Sequence, residues 1–426
     1  MPDIRVECAK ITQKIIEEKI FFGELKKRLS EKDAAFANML ILTSLRYWSA
    51  LDKILKKFVS KKIPNKHRLA EYLLKSAIAE IMFMHTAPYA VINQTVQNIK
   101  QNCDRFLGGM ANAVLRKVVE QKENILREIA EMPLLPKSFL PLLSGYSATE
   151  ISQISASITE IVPLDITVKN NHEKWQKVFS ADILPNGTLR LYNAVKVQNL
   201  SEYNAGEWWV QDVAASLPVA VAGDIKGKKV IDLCAAPGGK TAQLALKGAD
   251  VTALDISETR LQTLKENMNR LGFDNVKTAV ADATEFVQTN NPVYDLVLLD
   301  APCSASGTFR RHPEVLHIKD INDVKEQKAL QREILAGCAN ILKKGGILIY
   351  SVCSICRAEG EEQIAEFLKE HKEFERVKIS EDEISAFGKW DDKIINENGE
   401  IRTLPCHLKS QKGMDSFFIC KMQRII

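Results

Sequence analysis

The sequence predicts a doubly wound α/β domain with a mostly parallel sheet, preceded by an all-α domain and a small α+β subdomain. Three observations predict it. From Lys228 onward, short apolar runs alternate with helix-forming stretches. In Val230 to Leu244 (VIDLCAAPGGKTAQL) a strand, a Pro-Gly-Gly turn and a helix start follow one another. The first 130 residues repeat apolar side chains at steps of three and four, with no competing alternation.

At 426 residues the chain exceeds one ordinary domain, and its 46% hydrophobic content is that of a globular protein. Glu80 and His85 interrupt the most apolar stretch, and MPDIRVECAK carries acids where a signal peptide would carry only bases. A soluble cytoplasmic protein with no membrane partner is expected, with a monomer as the simplest state. Nine scattered cysteines read as reduced thiols. Residues 1–130 hold 23 Lys and Arg against 14 Asp and Glu, which leaves 35 against 40 of the chain's 58 and 54. Between Lys53 and Arg68 stand seven bases and no acid, a solvated face or a polyanion contact.

In the front part, Ile11, Ile15, Ile16 and Ile20 fall on one helical face, and so do Ile41, Leu45, Trp48, Leu51, Leu55 and Phe58. Helices are also expected from His67 to His85 and from Gly109 to Ala130. Pro133, Pro136 and Pro141 break this pattern and place a boundary within Met132 to Ser144. The expected division is 1–131 all-α, 132–215 linker helix and small α+β subdomain, and 216–426 α/β. The middle part rests on IVPLDITV, TLRLYNAV and GEWWVQDVAAS, where Trp208 and Trp209 read as core more readily than as base-stacking platforms. Then come the strands KKVIDL, DVTALD, VKTAVAD, YDLVLLD and GGILIYSVC. A helix carries Leu261, Leu264, Met268 and Leu271. Another, Ile321 to Leu342, is expected to end at a Lys343 to Gly346 cap. FERVKIS and DSFFICKM complete the sheet as an antiparallel edge hairpin.

The glycine loop admits two chemistries. A P-loop needs G-x-x-x-x-G-K-[ST]; Gly239, Lys240 and Thr241 supply its end, but Cys234 replaces the leading glycine and Pro237 stiffens the middle. The other is a Rossmann loop for an adenosine-bearing cofactor, with Asp255 at the next strand end accepting ribose hydroxyls. On that reading Asp255→Ala weakens cofactor binding and spares the fold, since the carboxylate is taken as solvent-facing. Asp282 and Asp300 end the following strands. A lone strand-terminal Asp is commonly an N-cap, but Asp232, Asp255, Asp282 and Asp300 share one sheet edge. Asp300 leads into Ala-Pro-Cys303, and Cys353 ends the fifth strand, so two thiols can converge from neighbouring strands. Cys353-x-x-Cys356 has no second CxxC, and no metal site is expected.

DLCAAPGGKT (Asp232 to Thr241), DAPCSASGT (Asp300 to Thr308), RRHPE (Arg310 to Glu314) and YSVCS (Tyr350 to Ser354) resemble the motifs of the RNA 5-methylcytosine methyltransferase family. AEIMFMHTAPYAVINQTV (Ala79 to Val96) and GGMANAVLRKV (Gly108 to Val118) resemble the RNA-binding domain of the NusB antitermination family, with Met110-Ala111 in place of its usual Phe-Val. Together they cover nearly the whole chain and imply a 16S rRNA (cytosine-C5)-methyltransferase that uses S-adenosyl-L-methionine, with 16S rRNA or a small-subunit assembly intermediate as partner. The resemblance implies that Cys353 is the nucleophile, that Cys303 assists product release, and that Asp300 is catalytic. It also implies that Cys234, Ala235, Ala236, Pro237, Gly238, Gly239, Lys240, Asp255, Asp282 and Asp300 bind the cofactor. Val352 stands where the family has Thr, one hydroxyl fewer beside the site. Two other classes remain open on residues alone: a P-loop-like ATPase acting on RNA, with Val297 to Asp300 as its Walker B strand, and a noncatalytic NusB-like RNA-binding factor.

Overall fold

The computed structural model describes residues 3–59, 61–193 and 197–426. Its contacts form two compact units. The first comprises Met1–Pro141, Tyr146–Thr159 and Phe309–Asp320; the second comprises Leu142–Gly145, Glu160–Thr308 and Ile321–Ile426.

The first unit is helical, with main helices Ile4–Glu18, Glu31–Arg46, Trp48–Phe58, Arg68–Phe83, Pro88–Asn102, Leu107–Glu120 and Lys122–Ala130. Asp3 caps the first through the Arg5 N–H, and Pro88 stands in the first turn of its helix, where no backbone donor is needed. Arg68–Phe83 is buried along most of its length and packs on five of the other helices. Glu80 lies within it at 0% exposure, held by both arms of Arg5 at 2.9 and 2.7 Å, which is what lets a charge sit in that core. Ile20 falls outside the first helix, because Lys19 turns into the left-handed region and ends it. A break at Gln121 likewise divides the stretch read as Gly109 to Ala130.

The chain returns to this unit far downstream. Phe309 meets Phe139 edge-on at 5.9 Å, Ile318 joins the cluster of Cys8, Ile11, Ile15 and Leu40, and the His317 ring sits 2.8 Å from the Leu45 carbonyl. Burial pulls the His317 pKa down to about 4, so the ring is neutral there. RRHPE therefore belongs to the helical unit.

The second unit holds two sheets. The smaller consists of β1 (Leu164–Val168), β2 (Asp182–Ile183), β3 (Leu189–Leu191) and β4 (Trp208–Val210), antiparallel in the order β2-β3-β1-β4. Trp208 and Trp209 are core residues at 0% and 4% exposure. Of TLRLYNAV, Ala194 and Val195 lie outside the described residues. Arg190 forks onto Asp165 with two bonds of 2.7 Å and donates to the Gln411 and Gly413 carbonyls, pinning the small sheet to the C-terminal loops of its own unit.

The larger sheet consists of β5 (Lys229–Leu233), β6 (Asp250–Asp255), β7 (Lys277–Val280), β8 (Tyr294–Asp300), β9 (Leu342–Val352), β10 (Phe374–Val377), β11 (Ile401–Arg402) and β12 (Phe418–Arg424). The order is β10-β12-β9-β8-β5-β6-β7, with β11 also on β12; β5 to β9 are parallel and β12 is antiparallel to its neighbours. The order reverses between β5 and β8, which places a switch point at the carboxyl ends of those strands. Two expectations change. β10 and β12 pair but form no hairpin, since β11 and a long connection separate them. Lys343 to Gly346 do not cap a helix: the helix ends at Ile341, and these residues bulge out of β9, between its pairings Tyr294↔Leu342 and Leu296↔Ile347, with Gly345 at φ 80°.

Candidate active site

The carboxyl edge of β5, β6, β8 and β9 gathers most of the residues singled out in the sequence. After β5 the chain turns through Cys234 (φ 62°) and Gly238 (φ 104°) into the helix Gly239–Leu246. A Cβ on Gly238 would stand 2.9 Å from Leu264 Cγ, so the loop can lie this close to the helix Glu258–Arg270 only with glycine there. The loop uses much of its own backbone internally: Ala235 N–H donates to the Leu254 carbonyl at 2.9 Å, Gly238 N–H to the Ala235 carbonyl at 2.9 Å, and Ala236 N–H to the Asp255 carboxylate at 3.1 Å. Thr241 Oγ1 donates to Asp232 at 2.6 Å, and Lys240 Nζ to Asp300 at 2.7 Å. The Lys240 ammonium and Thr241 hydroxyl, which a P-loop would turn toward phosphates and magnesium, are here taken up by Asp300 and Asp232.

Asp255 is buried at 1% exposure, which corrects its placement on a solvent-facing strand end. Its oxygens accept the Ala236 and Ser257 N–H groups, and Arg260 stands 3.6 Å away, so Asp255→Ala would loosen the loop as well as remove an acceptor. Asp282 caps the helix Ala283–Thr289 through Thr284 N–H at 2.8 Å; the hydroxyl and backbone N–H of Thr284 hold its carboxyl below the usual range. Beside these carboxylates Ile256 and Val280 expose 66% and 53% of their surface at the ends of β6 and β7. Acceptors for hydroxyls next to an uncovered apolar step fit the ribose and flat base of an adenosine-bearing cofactor.

Asp232 lies beneath the loop, where burial raises its carboxyl pKa to about 7 and Oδ1 has no hydrogen-bond partner among the described residues. In the unfolded chain the group ionises near 3.9. Between about pH 4 and pH 7 the folded state therefore holds the extra proton, and this group's contribution to stability falls as pH rises through that window. Asp232→Asn should remove that slope: the difference in Tm between variant and wild type should shift in the variant's favour from pH 4.5 to pH 7.5. A constant difference across that range would contradict the buried neutral acid.

Cys303 and Cys353 meet at 3.4 Å between sulfurs, both half-buried and free. The hydrogen bond with Cys353 first, then burial and the charge of Cys353, push the Cys303 thiol well up, so Cys303 keeps its proton and faces Cys353 as donor. Burial alone would lower Lys240, but the Asp300 charge and hydrogen bond, with the charge of Cys353, leave its ammonium raised. Asp300 also accepts Ser351 Oγ at 2.8 Å, and Lys240 Nζ stands 5.2 Å from the centre of the Phe417 ring. Val352 is fully buried in the sheet core. Gly307 N–H donates to the Cys353 carbonyl at 3.0 Å and joins the two thiol-bearing loops.

Sequence reasoning missed Arg260, Ser351, Phe417 and a buried cluster of Ser304, Ser306, Gln331, Ser354 and Glu359. The acids of RAEGEEQ look alike in sequence, and only the fold shows that Glu359 turns inward at 0% exposure.

The model of the 16S rRNA methyltransferase RsmB/F family matches residues 223–423, and that of the NusB family matches residues 4–120. The chain is 31% identical over 365 residues to the ribosomal RNA small subunit methyltransferase B of Yersinia pestis bv. Antiqua, covering 82% of this chain and 85% of the relative, and matches the Yersinia pseudotuberculosis protein to the same extent. A solved structure named PH0851 superposes with a TM-score of 0.75 at 24% identity over 99% of both chains. A methyltransferase homolog protein from Pyrococcus horikoshii gives 0.52 at 25% identity, over 67% of this chain and 97% of its own. Among the described residues no helix is long and apolar enough to cross a membrane. The chain belongs to the RsmB/F family of 16S rRNA methyltransferases, dependent on S-adenosyl-L-methionine, and carries a NusB-family domain in front.

Proposed function

We propose that this protein methylates carbon 5 of a cytosine in small-subunit (16S) rRNA through a covalent bond between Cys353 and the base. The observation that carries this reading is the pair of thiols 3.4 Å apart beside the Lys240 and Asp300 ion pair. Carbon 5 of cytosine is a weak nucleophile. Addition of a thiolate to carbon 6 makes the ring an enamine, with carbon 5 rich in electrons. S-adenosyl-L-methionine, held by the loop from Cys234 to Lys240 with Asp255, Asp282 and Asp300, supplies an electrophilic methyl group.

Cys353 adds to carbon 6, with the Lys240 ammonium as counter-charge to its thiolate. Asp300 accepts from that ammonium and from the Ser351 hydroxyl; with its carboxyl protonated it would donate to the ring at N3, where negative charge develops as the thiolate adds. Once Cys353 is bonded to carbon, two of the causes that raise the Cys303 thiol, its hydrogen bond to Cys353 and the charge of Cys353, are gone. Cys303 can then ionise and remove the carbon 5 proton; the double bond re-forms and the Cys353 thiolate leaves. The target cytosine must be unstacked to reach this pair, which favours an unpaired or loop nucleotide.

In this reading residues 1–131 dock RNA, 132–215 form the intervening subdomain, and 216–426 carry out the chemistry. Within the basic run Lys56 is paired with Asp52, Lys57 with Glu128, and Arg68 with Glu17, whereas Lys61, Lys62 and Lys66 are exposed. Charge reversal at Lys61, Lys62 and Lys66 should weaken rRNA binding and lower the slope of log affinity against log salt by roughly two to three. An unchanged slope would leave the run a solvated face. For the activity itself, purified protein, 16S rRNA and methyl-labelled S-adenosyl-L-methionine should yield label in 5-methylcytidine on nucleoside mass spectrometry. Label in N4-methylcytidine or in ribose would overturn the proposal.

A further inference from the structure

Cys303 and Cys353 stand on separate loops, and a single carboxylate ties together the residues next to them. Glu359 lies at 0% exposure in the short turn Arg357–Glu359. Its Oε1 accepts the Ser304 N–H at 2.8 Å and Gln331 Nε2 at 3.0 Å, and its Oε2 accepts the hydroxyls of Ser304 and Ser354. Ser304 directly follows Cys303, and Ser354 directly follows Cys353. Gln331 also donates to the Pro302 carbonyl at 2.9 Å, and Tyr350 Oη donates to the Glu359 carbonyl at 2.7 Å. Ser306 Oγ closes the cluster, 3.0 Å from Ser354 Oγ and accepting the Ile355 N–H at 3.2 Å.

A buried acid satisfied by hydrogen bonds is usual for a core, and by itself would mean only that the core is well made. The origin of the donors separates this one from that case. Three of the four come from the two residues that follow the thiols, so the carboxylate spans the gap between β8 and β9 that no covalent bond spans. Hydrogen bonds to a buried carboxyl group are strengthened by the dry setting, and here they fix both loops together.

We propose that Glu359 is a positioning residue that sets the separation of Cys303 and Cys353 through Ser304 and Ser354. Its catalytic consequence rests on the two-thiol reading above; the positioning does not. Glu359 touches neither sulfur. Without it the loops keep their strands and the Gly307 and Ser306 links but lose the carboxylate anchor next to the two thiols, and a displacement of about 1 Å at a reacting pair can cost on the order of a hundredfold in rate.

The test uses the full-length protein with Glu359→Ala and Glu359→Gln, read in two ways. Dibromobimane, which alkylates one thiol and then a neighbouring one, reports proximity through its fluorescence, and peptide mass spectrometry locates the bridge. Steady-state methylation of 16S rRNA reports kcat and KM. In Glu359→Ala the bridging step between Cys303 and Cys353 should slow at least about tenfold, with the first alkylation near its wild-type rate. Its kcat should fall on the order of a hundredfold, with KM for S-adenosyl-L-methionine within about threefold. Glu359→Gln, which fills the same space and keeps an acceptor, should recover most of both. Bridging at the wild-type rate in Glu359→Ala would overturn the positioning role. Should that variant fail to fold, Ser304→Ala with Ser354→Ala removes both hydroxyl tethers, and with Ser354 Oγ the carboxylate's hold on the Cys353 loop, while the Ser304 N–H bond stays; unchanged bridging there overturns the proposal equally. Multiple turnover by Cys303→Ala would instead sink the two-thiol reading and the kcat expectation drawn from it, an outcome distinct from any change in bridging.

Discussion

Cys353→Ala should lose methylation by at least about a thousandfold and form no covalent adduct with RNA, while Cys303→Ala should accumulate an adduct that survives a denaturing gel. The asymmetry follows from the geometry. The two sulfurs stand 3.4 Å apart, yet the Cys303 thiol is held protonated by its bond to Cys353 and by burial. In the proposed mechanism, removing Cys353 removes the thiol that adds to carbon 6. Removing Cys303 leaves addition and methyl transfer intact and takes away only the group that frees carbon 5 of its proton, so the enzyme stops after one turnover. The double variant should resemble Cys353→Ala. An adduct in Cys353→Ala and none in Cys303→Ala would exchange the two roles.

Gly307→Ala should be nearly as damaging although it changes no reactive group. A Cβ there would stand 2.2 Å from the Ser416 carbonyl oxygen and 3.0 Å from the Cys353 carbonyl oxygen, both backbone atoms that cannot swing away. Gly307 also donates to the Cys353 carbonyl and accepts the Ser416 N–H, so the loop cannot retreat without breaking those bonds. Overpacking of this kind costs about 1–3 kcal/mol. The accompanying displacement beside the thiols should lower kcat by roughly a hundredfold. Thermal unfolding and single-turnover rates together read both effects. Gly109→Ala, inside a helix where a Cβ meets nothing within 4 Å, should be neutral or slightly stabilising under the same assays.

The sheet and its edge were legible because their signal is local and repeated. Most of the parallel strands are apolar runs followed by a polar punctuation mark, and Asp255, Asp300 and Cys353 sit at such marks. The approach of Cys303 to Cys353 could be foreseen from strand adjacency alone. What could not be read depends on contacts between distant positions. Asp255 looks like any strand-terminal acid, and only the loop folded over it shows that backbone N–H groups bury it. Lys343 to Gly346 carry the signature of a helix end, but pairing of β9 with β8 on both sides of them turns that signature into a bulge. Glu359 is one of several acids in RAEGEEQ, and composition does not distinguish the one that faces two serines from those that face water. Likewise, nothing in FRRHPEVLHIKD marks it as belonging with helices three hundred residues earlier.

That last segment sets a timetable for synthesis. Ile318 fills a place among Cys8, Ile11, Ile15 and Leu40, and His317 lies against the Leu45 carbonyl, so the front unit lacks part of its interior until residue 320 has been made. At about 5–20 residues per second, the stretch between residues 142 and 308 takes roughly ten to thirty seconds to translate. Throughout that interval the nascent front helices lack the Ile318 side chain that completes their core. A protein that modifies ribosomal RNA thus completes its first-made part only when residue 320 of 426 has been added.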